Sequence, residues 1–90
     1  MAAESKYQRK VKKSLEDDGW FVMRMINVTS TKFKSGMPDL LAIKPSGKDG
    51  YHLVKFIEVK AKSGSTSAIQ RYAHKCLSEI GFEVVVDTES

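Results

Sequence analysis

Asp39, Glu58 and Lys60 are the residues whose types and spacing best suit a chemical reaction. Asp39 follows Gly36-Met37-Pro38 and opens an apolar run, and Glu58 and Lys60 lie two apart at the end of a second apolar run. Because strand side chains alternate between faces, Glu58 and Lys60 point the same way. Two carboxylates and an ammonium at the ends of buried strands suit the binding of a divalent cation beside a phosphodiester.

Oxygen ligands of this kind favour Mg²⁺ or Mn²⁺. We expect Asp39 and Glu58 to supply two carboxylates, and the backbone carbonyl of Val59 to supply a third ligand. Lys60 lies about 7 Å along the strand from Glu58, at roughly 3.3 Å per residue, and its ammonium can orient the attacking water or neutralise phosphate charge. Two structural alternatives stay open: Asp39 as a turn residue after Pro38, and Glu58 with Lys60 as an exposed ion pair.

Length and composition bound the kind of protein. Ninety residues predict one small domain spanning 1–90, whose modest core would benefit from a partner subunit. No apolar stretch reaches the roughly 18 residues of a membrane helix, and no secretory segment follows Met1. A lone cysteine, Cys76, excludes an internal disulfide and fits a reducing cytoplasm, and its position predicts a core residue.

The net charge of +4 is unevenly distributed. Residues 1–34 hold eight Lys and Arg against four acids, whereas residues 65–90 hold two against four. This asymmetry favours a polyanionic partner. Loops on both sides of the site carry candidate phosphate contacts, namely Lys32, Lys34, Ser35 and Lys62, although surface lysines without a role are equally common.

Periodicity predicts the order α-β-β-β-α-β. Helices are expected at 2–18 and 68–80, and strands at 20–26, 39–44, 51–61 and 82–86. Gly19 and Gly81 should end the helices, and Thr66 or Ser67 should cap the second one. The first three strands can form an antiparallel meander, and the helical crossover should make the last two strands parallel. The fold class is therefore α/β, a small mixed sheet flanked by helices.

The third strand and the second helix carry further expectations. Apolar residues on both faces of the third strand predict a central strand that is covered twice. Gln70 and His74 lie four apart on the polar side of the helix. We expect Gln70 to belong to the site and His74 and His52 to be solvated, while Trp20 and Phe21 should be core or subunit contacts.

These residues together resemble the PD-(D/E)XK nuclease superfamily, and more closely its VRR-NUC branch, including small stand-alone, Holliday-junction-resolvase-like forms. The resemblance is carried by Gly36-Met37-Pro38-Asp39, Phe56–Ala61, Gln70 and the opening segments Glu4–Gln8 and 19–22. It implies a restriction-endonuclease-like fold, Mg²⁺ or Mn²⁺ dependence and DNA cleavage. It also implies that Glu4 is a metal ligand or supports one, and that Gln70 touches substrate or metal-bound water. An acid in a first helical turn also has a purely structural explanation, the helix dipole.

The resulting hypothesis is a metal-dependent, structure-specific DNA endonuclease, resolvase-like, homodimeric and encoded by a phage or bacterium. The small core and the paired symmetric cuts that a resolvase must make suggest the homodimer, and branched DNA is the expected substrate. Two alternatives remain. One is a DNA-binding module that keeps the fold without cutting, and the other is a protein-interaction or inhibitory domain in which the charge pattern is incidental.

Overall fold

A computed structural model describes residues 3–25, 37–45, 52–62 and 66–89, with the side chains of the first helix described from Lys6 onward. Within these ranges the element order is the predicted α-β-β-β-α-β. The elements are α1 Ala3–Asp17, β1 Phe21–Arg24, β2 Leu40–Pro45, β3 His52–Lys60, α2 Ala68–Ile80 and β4 Glu83–Thr88. The second helix has the predicted bounds, and the last strand continues two residues further than expected.

The four strands form one mixed sheet in the order β1-β2-β3-β4. β1 pairs antiparallel with β2, and β2 pairs antiparallel with β3, with Leu40 opposite Ile57. β3 and β4 are parallel, with Glu58 opposite Val86. The predicted meander and the parallel crossover are both confirmed.

Local sequence signals fix the ends of α2. The Ser67 side chain accepts from the backbone N–H of Gln70, and the Gln70 side chain accepts from the backbone N–H of Ser67, a reciprocal capping box. Gly81 follows the helix at φ 118°, a left-handed conformation that suits glycine. Ser67 is thus the cap, and Gly81 ends the helix as expected.

The main core lies between α1 and one face of the sheet. It is built from Val11, Val22, Leu40, Ala42, Ile57 and Val59, with Tyr7, Leu15, Trp20 and Val85 packed around it. Burial of side chains of this size contributes about 1.5–3 kcal/mol each. The opposite face carries Phe56, whose ring meets that of Phe82 edge to face at 5.4 Å, and Ala73 from α2. The sheet is therefore flanked by a helix on each side.

Two packing expectations need correction, the coverage of β3 on both faces and the core position of Cys76. β3 is covered on both faces only in its second half, because the core beneath α1 takes just Ile57 and Val59 from this strand, and Leu53 is 49% exposed. Of the two aromatic residues expected to be core or subunit contacts, Phe21 is 63% exposed, which leaves the subunit contact, whereas Trp20 packs against the core with the Lys55 ammonium 4.6 Å from its ring centroid. Cys76 is half-buried rather than fully buried.

Candidate active site

Asp39 lies where β2 begins, at the open end of the β2–β3 ladder. Leu40 pairs with Ile57, so one further step of the same register brings Asp39 opposite Glu58. The Asp39 carbonyl accepts from Met25 N over 2.8 Å, and its carboxylate Oδ2 accepts from Val59 N over 2.8 Å. The carboxylate is thus held between the ends of the two strands that carry the acidic residues.

The Val59 carbonyl faces the same gap. Both peptide groups of a strand residue point toward the same neighbouring strand, and successive residues alternate. Val59 N donates to Asp39, whereas Lys60 O accepts from Glu89 N on the opposite side. The Val59 carbonyl therefore points toward Asp39, as a third oxygen ligand would require.

Glu58 is 2% exposed, and its carboxylate is surrounded by polar groups from β3 and α2. Gln70 Nε2 donates to Oε2 over 3.1 Å, the Lys60 ammonium lies 3.7 Å from Oε2, and His74 Nε2 lies 3.4 Å from Oε1. Lys60 is itself only 9% exposed. Burial of a carboxylate requires such polar partners, because an unpaired buried carboxylate is strongly unfavourable. The alternative of an exposed Glu58–Lys60 pair is therefore wrong.

Gln70 joins the two charged residues. Its Nε2 donates to Glu58, while its Oε1 accepts from Lys60 Nζ over 3.1 Å and from Ser67 N over 2.9 Å. The capping box thus fixes the orientation of the Gln70 side-chain amide. That amide in turn fixes the distance between the Glu58 carboxylate and the Lys60 ammonium. The structure thus brings Gln70 together with Glu58 and Lys60.

His74 contradicts the expectation of a solvated helix residue. It lies one turn after Gln70, and its imidazole contacts Glu58 with only 14% of the side chain exposed. Burial lowers the pKa of His74, the Lys60 ammonium lowers it further, and the Asp39 carboxylate acts in the opposite direction. These effects together favour the neutral form of the ring. The four-residue spacing from Gln70 was the signal that could have placed it here.

The remaining predicted residues divide into two groups. Lys62 is exposed immediately after β3, next to the site. Glu4 lies in the first turn of α1, but its side chain falls outside the described part of the structure, and Lys32, Lys34 and Ser35 lie outside it entirely. Among the described residues, no three His, Cys, Asp or Glu side chains are grouped closely enough to hold a metal.

One contact between a buried amide and an exposed guanidinium had no counterpart among the predicted site residues. Gln8 of α1 is 8% exposed, and its Oε1 accepts from Arg24 Nε at the end of β1 over 3.1 Å. Gln8 lies three residues before Val11 and seven before Leu15, so it is on the side of α1 that faces the core, and only its polar side chain gave no reason to expect burial.

Comparison with known proteins decides the family. The model of the VRR-NUC domain matches residues 2–88, nearly the whole chain. The chain belongs to the VRR-NUC family. A solved structure described as a VRR_NUC domain superposes with a TM-score of 0.78 at 26% identity, covering 99% of this chain and 87% of that one. A search of curated proteins gave no match.

Membership in the VRR-NUC family gives the chain a nuclease-type fold and DNA as its partner. VRR-NUC nucleases typically depend on a divalent metal. No helix in the described part of the VRR-NUC chain is long and apolar enough to cross a membrane.

The donor atoms of this VRR-NUC site fit a hard divalent cation. The described set consists of the Asp39 and Glu58 carboxylates and the Val59 carbonyl, all oxygens, and their relative positions follow from strand register. Mg²⁺ and Mn²⁺ take such oxygens together with water and do not require a complete protein cage. A site with two carboxylates is therefore consistent with either ion.

Proposed function

We propose that this VRR-NUC protein is a Mg²⁺- or Mn²⁺-dependent DNA endonuclease whose reaction takes place between Asp39 and Glu58. The observation that carries the proposal is the buried Glu58 carboxylate, opposite Asp39 in register and held by Gln70, Lys60 and His74. Burial of a charged pair costs several kcal/mol per ion before its interactions are counted. A purely structural pair at a strand end has no need of that arrangement.

Asp39, Glu58 and the Val59 carbonyl would hold the cation, and Glu4 would complete the set from the start of α1. When bound, such a cation lowers the pKa of a coordinated water and stabilises charge on the phosphate. Lys60 Nζ, fixed by Gln70 Oε1, would orient the attacking water or neutralise charge on the phosphate. Gln70 keeps that ammonium and the Glu58 carboxylate at a constant separation.

The proposed substrate is branched DNA, cut by a homodimer in the manner of a resolvase. β1 is an edge strand, and its Phe21 and Met23 are 63% and 44% exposed. Apolar side chains side by side on a sheet edge suit a contact with a second copy, and two copies would give the two symmetric cuts. Lys62, beside the site, would contact phosphate, as would Lys32, Lys34 and Ser35. The nuclease unit would be a single domain spanning residues 1–90.

Cleavage assays test this function directly. Labelled four-way junction, flap, nicked and plain duplex DNA are incubated with the protein, with Mg²⁺, with Mn²⁺ and with a chelator. We expect metal-dependent products, strongest on the junction, and loss of at least about 100-fold in rate for Asp39→Asn and Glu58→Gln, which preserve shape. Salt-sensitive DNA binding without products would favour the silent DNA-binding module, and absence of both would favour an interaction domain.

A further inference from the structure

Gln8 and Arg24 form a polar contact that the reaction site does not use. Gln8 is nearly buried among the residues by which α1 packs on the sheet, and its Oε1 accepts from Arg24 Nε over 3.1 Å. An apolar side chain at this position would satisfy packing alone. A buried amide at this position is explained by the bond it makes, because buried polar groups require partners.

The contact orients Arg24 without cancelling its charge. Gln8 is neutral, so the guanidinium keeps its full positive charge while its plane is held through Nε. The edge that carries the two Nη atoms is the edge that binds phosphate oxygens in pairs. A carboxylate in place of the Gln8 amide would orient the guanidinium equally well but would neutralise it.

Three lysines among the described residues are arranged differently from Arg24. Lys12, Lys13 and Lys44 each pair with a carboxylate, Glu16, Asp17 and Asp18 respectively, at 2.8, 3.7 and 3.6 Å. These pairs cluster where α1 ends and β2 ends, the end of the sheet opposite the reaction site. Arg24, with its neutral acceptor, lies at the end that carries Asp39.

Strand register places Arg24 close to the reaction site. Arg24 pairs with Leu40, and the next residue, Met25, donates its backbone N–H to the Asp39 carbonyl over 2.8 Å. With strands ~4.8 Å apart and a rise of ~3.3 Å per residue, the backbones of Arg24 and Asp39 are about 6 Å apart. Arg24 shares the α1 face of β1 with Val22, whereas Glu58 shares the α2 face with Lys60. The end of β1 therefore borders the site, with the Arg24 guanidinium on the α1 side of the sheet and the Glu58 carboxylate on the α2 side.

We propose that Arg24, oriented by Gln8, binds a DNA backbone phosphate next to the one that is cut, so that the substrate strand runs across the end of β1. The location of this phosphate relative to the cut rests on the proposed function, whereas the binding of DNA by Arg24 does not. Gln8 is a positioning residue here, and Arg24 is the residue that contacts the substrate.

Binding measured without divalent cation tests the contact separately from cleavage. Fluorescence anisotropy of labelled junction and duplex DNA is recorded between about 50 and 200 mM salt. Arg24→Ala should weaken binding about five- to tenfold and lower the magnitude of the salt slope by about one. Arg24→Lys and Gln8→Leu should each weaken it about threefold, although neither changes the net charge. Gln8→Glu should weaken it more, because it neutralises the guanidinium.

Arg9 supplies the matched control. It is exposed on the same helix, next to Gln8, so Arg9→Ala and Arg9→Lys make the same chemical changes away from the contact. We expect each of these two variants to change the affinity for DNA by less than about twofold. Equal losses for Arg9→Ala and Arg24→Ala would overturn the proposal, because they would show a response to net charge alone. Because Arg24 is exposed, its variants keep the proposal testable even if Gln8→Leu fails to fold.

Methylphosphonate substitution then locates the phosphate. Junctions that carry a single neutral linkage at successive positions around the cut are titrated with the parent and with Arg24→Ala. At one position within about two nucleotides of the cut, the neutral linkage should weaken DNA binding by the parent but not by Arg24→Ala. This range follows from the ~6 Å between the backbones of Arg24 and Asp39 and the ~3.4 Å per nucleotide of a DNA strand. The absence of such a linkage in that range would overturn the inference while leaving the endonuclease intact. Parent-like cleavage by Asp39→Asn and Glu58→Gln would instead refute the endonuclease mechanism and leave the Arg24 contact standing.

Discussion

Gln70 donates from Nε2 to the buried carboxylate of Glu58 over 3.1 Å, and the same amide is half of the capping box that begins α2. The start of a helix and the geometry of the candidate site therefore depend on a single side chain. Substitution of Gln70 therefore affects both the cap of α2 and the contacts of Glu58. Substitution of Ser67 affects the cap alone and so serves as the control.

The first prediction separates those two roles. Ser67→Ala removes the cap and should lower the free energy of unfolding by about 1 kcal/mol with cleavage largely retained. Gln70→Ala also removes the contacts to Glu58 and Lys60, so it should slow cleavage by about 10- to 100-fold. Urea unfolding and cleavage rates measure the two effects. If both variants cut equally fast, Gln70 has no part in the site beyond capping.

Strand and helix positions followed from the sequence because local signals agreed with one another. The capping residues around α2 and the apolar runs of β2 and β3 gave the right elements, and the two-residue alternation put Glu58 and Lys60 on one face. The position of Asp39 opposite Glu58 depends on strand register, which the loop between β2 and β3 does not determine by itself.

His74 and Gln8 show where sequence reasoning failed. Both are polar residues on helices, and polarity favours solvent. Each is shielded from solvent because a charged residue distant in sequence, Glu58 or Arg24, meets it in the folded chain. Such pairs are tertiary, and the residue type alone gives no sign of them. The exposed first half of β3 was missed for the converse reason, since apolar composition does not indicate how far a helix extends over a sheet.

The second prediction concerns acid stability. The folded-state pKa of His74 lies below its ordinary value of 6.5. Its contribution to stability is therefore complete above pH 6.5 and is lost as the pH falls from there through the lower folded-state pKa. The free energy of unfolding should therefore fall as the pH is lowered below 6.5, and it should fall less in His74→Gln. Urea unfolding at each pH measures this. His52→Gln, at an exposed position, should follow the parent, and an identical acid response in His74→Gln would refute the prediction.

A third prediction separates cation binding from cleavage at Lys60. Lys60→Met removes a buried positive charge beside the carboxylate, so Mn²⁺ should bind at least as tightly as to the parent. Cleavage should nevertheless slow by about 10²- to 10³-fold, because the ammonium acts on the reacting groups. Calorimetry and cleavage rates give the two values, with exposed Lys62→Met as the control for cation binding. Weaker Mn²⁺ binding in Lys60→Met would contradict the assigned role.

The fourth prediction concerns self-association. Phe21→Ser, on the exposed edge strand, should shift a dimer toward monomer in light scattering coupled to gel filtration, because it removes apolar area from the proposed contact. Leu53→Ser makes a comparable change at a residue that is 49% exposed on β3 and should leave the mass unchanged. A parent that is monomeric at all concentrations would refute the homodimer.

Mn²⁺ binding by the parent, Asp39→Asn and Glu58→Gln is the most direct test that the two carboxylates share one cation. Calorimetry at neutral pH should show a site in the parent whose affinity falls at least about tenfold in each variant. The loss of Mn²⁺-binding free energy in the double variant should not exceed the sum of the losses in the two single variants, because both carboxylates bind the same ion. Parent-like Mn²⁺ affinity in either single variant would contradict the shared site.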